Sequence, residues 1–310
     1  MSSPQLPPLP VSPSSAPQGD GASVFPDLKV AAVQMEPRIG QVADNVARSV
    51  RFIEQAAAQG ASVVVLPELA NTGYVFSSRD EAFALGESAT EGPTTRAWQA
   101  VAARLGLHLV AGLTERDGDR LYNTAVVMGP RGLIGRYRKL HLWGDEHLFF
   151  EPGNLGLPVF HTEVGRLSAV ICYDGWFPEV YRLLAMQGAD LVCMPTNWVP
   201  MPQQPAHMPA MANTLAMAAA HSNGMAVVCA NRVGTERGQP FIGQSLIVGA
   251  QGWPLAGPAA AEGEAVLVAS VNLKHSRSAR QLNAFNHVLR DRRTDLYDPM
   301  LGTGWPRPAL

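Results

Sequence analysis

A short pattern, Ala-x-Gln-Gly-Ala-x-x-Val-x-x-Pro, occurs twice in this chain, at residues 57–67 and again at 185–195, a constant offset of 128. Each copy joins the tail of a helix, a glycine stop, an apolar run and a proline. A helix feeding a short buried strand is the repeating unit of an α/β sheet. Two copies point to two related halves of one fold rather than two independent domains. At 310 residues the chain is within reach of one large α/β domain.

The remaining chain has the same texture. Residues 28–35 form an apolar run that suits a buried strand, and 44–59 read as an amphipathic helix with Val46, Val50, Ile53 and Ala57 on one face and Gly60 as its stop. The β-branched run at 62–66 ends on Pro67-Glu68. A helix over 94–105 and strands over 108–113 and 123–128 follow. Residues 132–143 read as an extended strand leaving the core, with Tyr137, Lys139 and His141 on one face by alternation. The Ala/Met-rich stretch 208–221 is expected to be a core helix. Strands at 225–230, 244–248 and 265–271 are expected to close the second sheet, before a final helix and arm.

Composition narrows the function. Hydrophobic residues make up 46% and charged residues 16%, which supplies ample core, and a net charge of −2 with no Lys/Arg-rich run offers no surface for nucleic acid. Three widely spaced cysteines and eight scattered histidines form neither a disulfide framework nor a metal-ligand spacing, so no metal is expected. The first 26 residues hold seven prolines and a single charged residue, Asp20. They read as a disordered extension, not a signal peptide. No apolar run approaches the roughly 18 residues of a membrane span, so a cytoplasmic protein with no membrane partner is expected.

The chemistry concentrates at Cys172. Residues 167–171 read as a buried strand, Asp174-Gly175 is turn chemistry, and Pro178 suits the first turn of a helix. Cys172 therefore sits at the carboxyl end of a strand, where α/β proteins bind ligands and where a helix N-terminus favours a thiolate. A small buried hydrophobe is the other reading of a free cysteine. Glu68 ends its own strand at the same sheet edge, or else is a turn acid. Lys139 is a candidate third member, or a solvated edge residue.

Together, Pro67-Glu68, then Tyr137-Arg138-Lys139-Leu140-His141-Leu142, then Cys172-Tyr173-Asp174 with Phe177-Pro178-Glu179, resemble in order and spacing the glutamate, lysine and cysteine motifs of the carbon-nitrogen hydrolase (nitrilase) superfamily. Phe150-Glu151-Pro152-Gly153 and Asp291-Arg292-Arg293 extend the resemblance, which covers residues 28–297 and leaves out the proline-rich start. It implies a four-layer αββα sandwich in which Glu68, Lys139 and Cys172 converge. It also implies a second glutamate, which maps onto Glu146 ahead of its rival Glu151. Domain limits of 27–297 with an arm at 298–310 follow, as does a homodimer formed through residues 177–187 and C-terminal segments.

Such a site would need no cofactor. Cys172 would attack a small amide, Glu68 would shuttle the proton, and Lys139 with the backbone N–H of Tyr173 would receive the oxyanion. Asn197, Trp198 and Tyr74 are the expected substrate-lining residues. Tyr173-Asp174 resembles the amidase-type members, whereas nitrilases more often show a Trp-Glu pair there. A nitrilase or an N-carbamoyl amidohydrolase is the alternative, the latter with Arg232 and Glu236 recognising the substrate's acid or amine. A non-catalytic binding protein on the same fold would be expected to lack one of Glu68, Lys139 and Cys172, and all three are present.

Overall fold

The computed structural model describes residues 27–205 and 208–301. The expected N-terminal extension and residues 302–310 of the expected arm lie outside them; residues 298–301 continue a helix. The first half runs β1 (Leu28–Gln34), α1 (Val42–Ala58), β2 (Val63–Val65), α2 (Arg79–Leu85), α3 (Pro93–Leu105), β3 (His108–Asp117), β4 (Arg120–Gly129) and β5 (Gly132–Arg138). The second runs β6 (Val159–Thr162), β7 (Gly165–Ala169), α4 (Pro178–Met186), β8 (Leu191–Pro195), α5 (Met211–Asn223), β9 (Ala226–Ala230), the small hairpin β10 (Thr235–Glu236) and β11 (Gln239–Pro240), β12 (Leu246–Val248) and β13 (Pro254–Ala256). The chain then returns through β14 (Ala265–Val271), α6 (Leu273–Ser278) and α7 (Thr294–Leu301).

Two six-stranded sheets result, ordered β14-β1-β2-β3-β4-β5 and β6-β7-β8-β9-β12-β13. They match position for position. In each, three central strands are parallel and both flanks are antiparallel. The repeated pattern places β2 and β8 in equivalent central slots, as two related halves require.

Strand alternation explains the layers. In β1, Val30 and Ala32 join the core between the sheets, while Ala31 and Val33 pack with Ile53 and Ala56 of α1 and Trp98 and Val101 of α3. Both faces of the strand are thus buried, and a one-residue slip would exchange the two sets. On the second sheet, Val180 and Leu184 of α4 and Ala212, Ala216 and Ala220 of α5 complete the fourth layer. The sandwich is helix, sheet, sheet, helix. Among the described residues no helix is long and apolar enough to cross a membrane.

Three expectations change. Residues 265–271 do form a strand, but it pairs antiparallel with β1 across seven residues and so completes the first sheet, not the second. The strand expected over 132–143 ends at Arg138, because the following backbone turns to meet the cysteine loop. The Ala/Met helix begins at Met211 and buries a face of Ala212, Asn213, Ala216, Ala220 and Asn223, leaving Met208 and Met211 exposed.

Candidate active site

The site is built on the loops that follow β2, β5, β7 and β8. Glu68 follows β2 and is fully buried. Its Oε1 accepts hydrogen bonds from Lys139 Nζ and Asn123 Nδ2, both at 2.7 Å, and its Oε2 has no partner. A Cβ on Gly112 of β3 would come within 2.5 Å of the Glu68 Cα, so only glycine lets β3 run against this loop.

Lys139 lies one residue past β5, where its N–H still donates to Asn123 O at 2.8 Å. Nζ bridges Glu68 and Glu146, donating to Oε1 of each at 2.7 Å. Glu146 comes from the short 3-10 turn Gly144–Leu148 and also accepts the Tyr74 hydroxyl at 2.6 Å. Glu151, the rival, lies at the surface facing Arg79 at 3.6 Å.

Cys172 opens the 3-10 turn Cys172–Trp176 with φ at 46°, a left-handed conformation that costs a non-glycine residue about 1–3 kcal/mol. Asp174 holds the turn in that shape. Buried completely, it accepts the Ile171 N–H at 2.9 Å, the Tyr137 hydroxyl at 2.7 Å and the His141 N–H at 3.0 Å, with His141 Nδ1 at 2.8 Å. The cysteine turn and the lysine segment are therefore fastened to one carboxylate. From the loop after β8, the Asn197 N–H faces the Cys172 sulfur and its Nδ2 donates to Glu68 O at 3.0 Å.

Electrostatics follow from burial. Desolvation pushes Glu68 up to about 7, Lys139 works against the shift, and Glu146 adds to it. The Cys172 thiol is raised by burial and by Glu68, against the pull of Lys139 and the Asn197 N–H. A helix N-terminus was expected to favour the thiolate, but α4 starts only at Pro178, beyond the turn, and burial prevails. Burial works against the Lys139 charge, yet Glu146, Glu68 and Cys172 together hold its pKa above the usual lysine range. The resting site is a neutral thiol, an ammonium and a carboxylate that titrates near neutrality.

A small pocket adjoins Cys172, walled by Trp143, Tyr173, Trp176, Trp198 and Met201. A second, of about 240 Å³, lies past Trp143 and includes Tyr74 and Glu146. Among the described residues no group of three or more His, Cys, Asp or Glu side chains is arranged to hold a metal ion.

Residues 29–281 match the family described as carbon-nitrogen hydrolase. The chain belongs to that family. A protein named nitrilase from Pyrococcus abyssi is 44% identical over 270 residues, covering 87% of this chain and 99% of its own. An N-carbamoylputrescine amidase of Arabidopsis thaliana is 32% identical over 276 residues, covering 84% and 91% respectively. Among solved structures, a mutant amidase from Nesterenkonia sp., with acrylamide added at its active-site cysteine, superposes with a TM-score of 0.71 at 28% identity and covers 87% of this chain and 98% of its own.

In this carbon-nitrogen hydrolase, Glu68, Lys139, Glu146 and Cys172 meet in one buried cluster, and Asn197, Trp198 and Tyr74 surround it. Arg232 and Glu236 are placed otherwise. They are buried against each other at 3.2 Å, Arg232 stacks on Phe241 and donates to Pro37 O, and Glu236 accepts the N–H groups of Tyr74 and Val75, both at 2.7 Å. Neither contributes to the walls beside Cys172. Their charges are spent on holding the Tyr74 loop. Sequence reasoning missed Asn123 and Asp174 as fasteners; an Asn opening a buried strand and an Asp inside an apolar turn were the available signals.

Proposed function

We propose that the protein hydrolyses a small linear amide to a carboxylic acid and ammonia, with Cys172 as nucleophile. The supporting observation is the buried Glu68, whose Oε2 is unpartnered and whose pKa lies near 7, in the same cluster as Lys139 and the Cys172 thiol. A general base works best when its pKa is near the operating pH. Glu68 takes the thiol proton as sulfur bonds to the amide carbon. The carbonyl electrons move onto oxygen, which Lys139 and the Tyr173 N–H receive. Collapse of the adduct breaks the C–N bond as Glu68 returns its proton to nitrogen, and ammonia leaves. Water, deprotonated by Glu68, then attacks the thioester, releasing the acid and restoring the thiol. Glu146 and Tyr74 hold Lys139 in position throughout.

A nitrile is the second reading, favoured by the 44% identity to the relative named nitrilase. An N-carbamoyl substrate is less well served, because Arg232 and Glu236 are buried away from the cavity. We place the enzyme in the cytoplasm as a homodimer joined through α4, which exposes Leu183 and Met186.

The deciding experiment measures ammonia release from matched amides, nitriles and N-carbamoyl compounds, with Cys172→Ala alongside. Turnover of amides that disappears in the variant is the expected result. Turnover that survives the substitution would remove the thiol mechanism.

A further inference from the structure

The small hairpin β10–β11 reaches from the second half of the chain to the loop that carries Tyr74. Glu236 Oε2 accepts the N–H groups of Tyr74 and Val75, both at 2.7 Å, and the next residue, Arg237, donates from Nη1 to the Val75 carbonyl at 2.9 Å. The Val75 backbone is thus held at both polar atoms by two successive side chains. Arg232 stands behind Glu236 and is buried with it. Its Nη2 donates to Glu236 Oε1 at 3.2 Å and to the Pro37 carbonyl at 2.8 Å, and its guanidinium lies over the Phe241 ring at 4.1 Å. Phe241 in turn meets the Tyr74 ring edge to face at 5.9 Å. Gly73 completes the fit, since a Cβ there would come within 2.7 Å of Glu236 Oε1 and 2.6 Å of the Ile39 Cα.

This grip delivers one hydroxyl. Tyr74 OH donates to Glu146 Oε1 at 2.6 Å, and the same oxygen accepts Lys139 Nζ at 2.7 Å. The other Glu146 oxygen meets the Trp143 N–H at a longer 3.3 Å. A hydroxyl this close to a carboxylate forms a strong, directional bond, so the orientation of Glu146, and with it the Lys139 ammonium, follows Tyr74. Apolar packing would keep the Tyr74 loop buried without fixing that direction. We propose that Glu236 is a positioning residue: it holds the Tyr74 hydroxyl on Glu146 and so keeps the Lys139 ammonium where the oxyanion develops. This deepens the amidase reading and rests on the role given there to Lys139. A misplaced ammonium weakens the transition state, where charge has formed on oxygen, and leaves the bound amide as it was, so the loss belongs to kcat rather than KM.

The test is a double-mutant cycle on kcat with Glu236→Gln and Tyr74→Phe. Gln keeps the size of the side chain and removes its charge; Phe keeps the ring against Phe241 and removes the hydroxyl. Each alone is expected to lower kcat about tenfold and to leave KM within about twofold. The double variant is expected to fall about tenfold as well, because without the hydroxyl Glu236 has nothing left to position. A fall of about a hundredfold, the product of two independent losses, overturns the proposal. So does Glu236→Gln with wild-type kcat, or with a change confined to KM. If circular dichroism shows that Glu236→Gln does not fold, Arg237→Ala loosens the same loop from an exposed position. Its expected loss of about threefold in kcat must vanish in the Tyr74→Phe background. A loss that persists there, or no loss at all, overturns the proposal. The cycle is run on matched amides and nitriles. If only nitriles turn over, the amidase reading falls, and the coupling measured on the nitrile still decides the role of Glu236.

Discussion

Glu68 and Lys139 form the unit through which the site responds to pH. Glu68 is raised to about 7 by burial, so it carries a proton below that value and is an available base above it. The expected kcat/KM profile therefore falls as pH drops through about 7, while Lys139, raised by its carboxylate partners, stays charged throughout. An acid limb near 4.5, the ordinary carboxylate value, would show that burial does not govern Glu68. Lys139→Met tests the other half of the pair. Removing the ammonium strands two buried carboxylates and takes away an oxyanion donor, so unfolding free energy should drop by about 3–5 kcal/mol. The kcat should drop by about 10²–10³. Denaturant unfolding and steady-state kinetics on one preparation separate these effects.

At the scale of elements, the chemistry depends on how closely three loops approach one another. β3 passes the Glu68 loop at a distance only glycine permits, so Gly112→Ala forces Glu68 and Leu69 outward from a Cβ contact of 2.5 Å. The expected cost is about 1–3 kcal/mol of stability together with lost kcat, read by urea unfolding and ammonia release. A variant of wild-type activity would show that the loop is free to shift. Asp174 joins the cysteine turn to the segment carrying Lys139 through the Ile171, Tyr137 and His141 donors. With Asp174→Ala these groups lose a charged acceptor, and we expect kcat to fall more than tenfold with a change in stability of about 3 kcal/mol or more. Glu should restore less than Asn, because its longer stem does not fit a fully buried site. The motif Cys-Tyr-Asp was legible in the chain; that its Asp faces inward and fastens the lysine segment was not, since the donors lie some thirty positions away.

For the whole molecule, the paired sheets close on each other and leave α1 and α3 outermost on one side and α4 and α5 on the other. α4 exposes Leu183 and Met186 at 51% each, beside a cleft of about 600 Å³ bordered by Tyr181, Arg182, Val288 and Tyr297. Such apolar surface on an outer layer suits a second copy of the chain. The proposed dimer should show twice the 33.2 kDa chain mass in light scattering, and Leu183→Glu should reduce it to one chain while leaving its circular dichroism intact. A wild-type protein of 33.2 kDa would remove the dimer.

Local pattern determined much of this protein. Period-two and helical spacing, glycine stops and the duplicated helix-strand unit specify an α/β chain of two halves, because backbone preference and side-chain period act over a few residues. The motifs around Glu68, Lys139 and Cys172 named the chemistry. Tertiary structure alone decided the partners. That residues 265–271 cross back to β1, and that Arg232 and Glu236 are buried against each other and hold the Tyr74 loop, depend on contacts between distant segments. For the charged residues among these, desolvation acts. A charged group brought into the interior must find whichever opposite charge the closing sheets place beside it, and spacing along the chain does not record that distance.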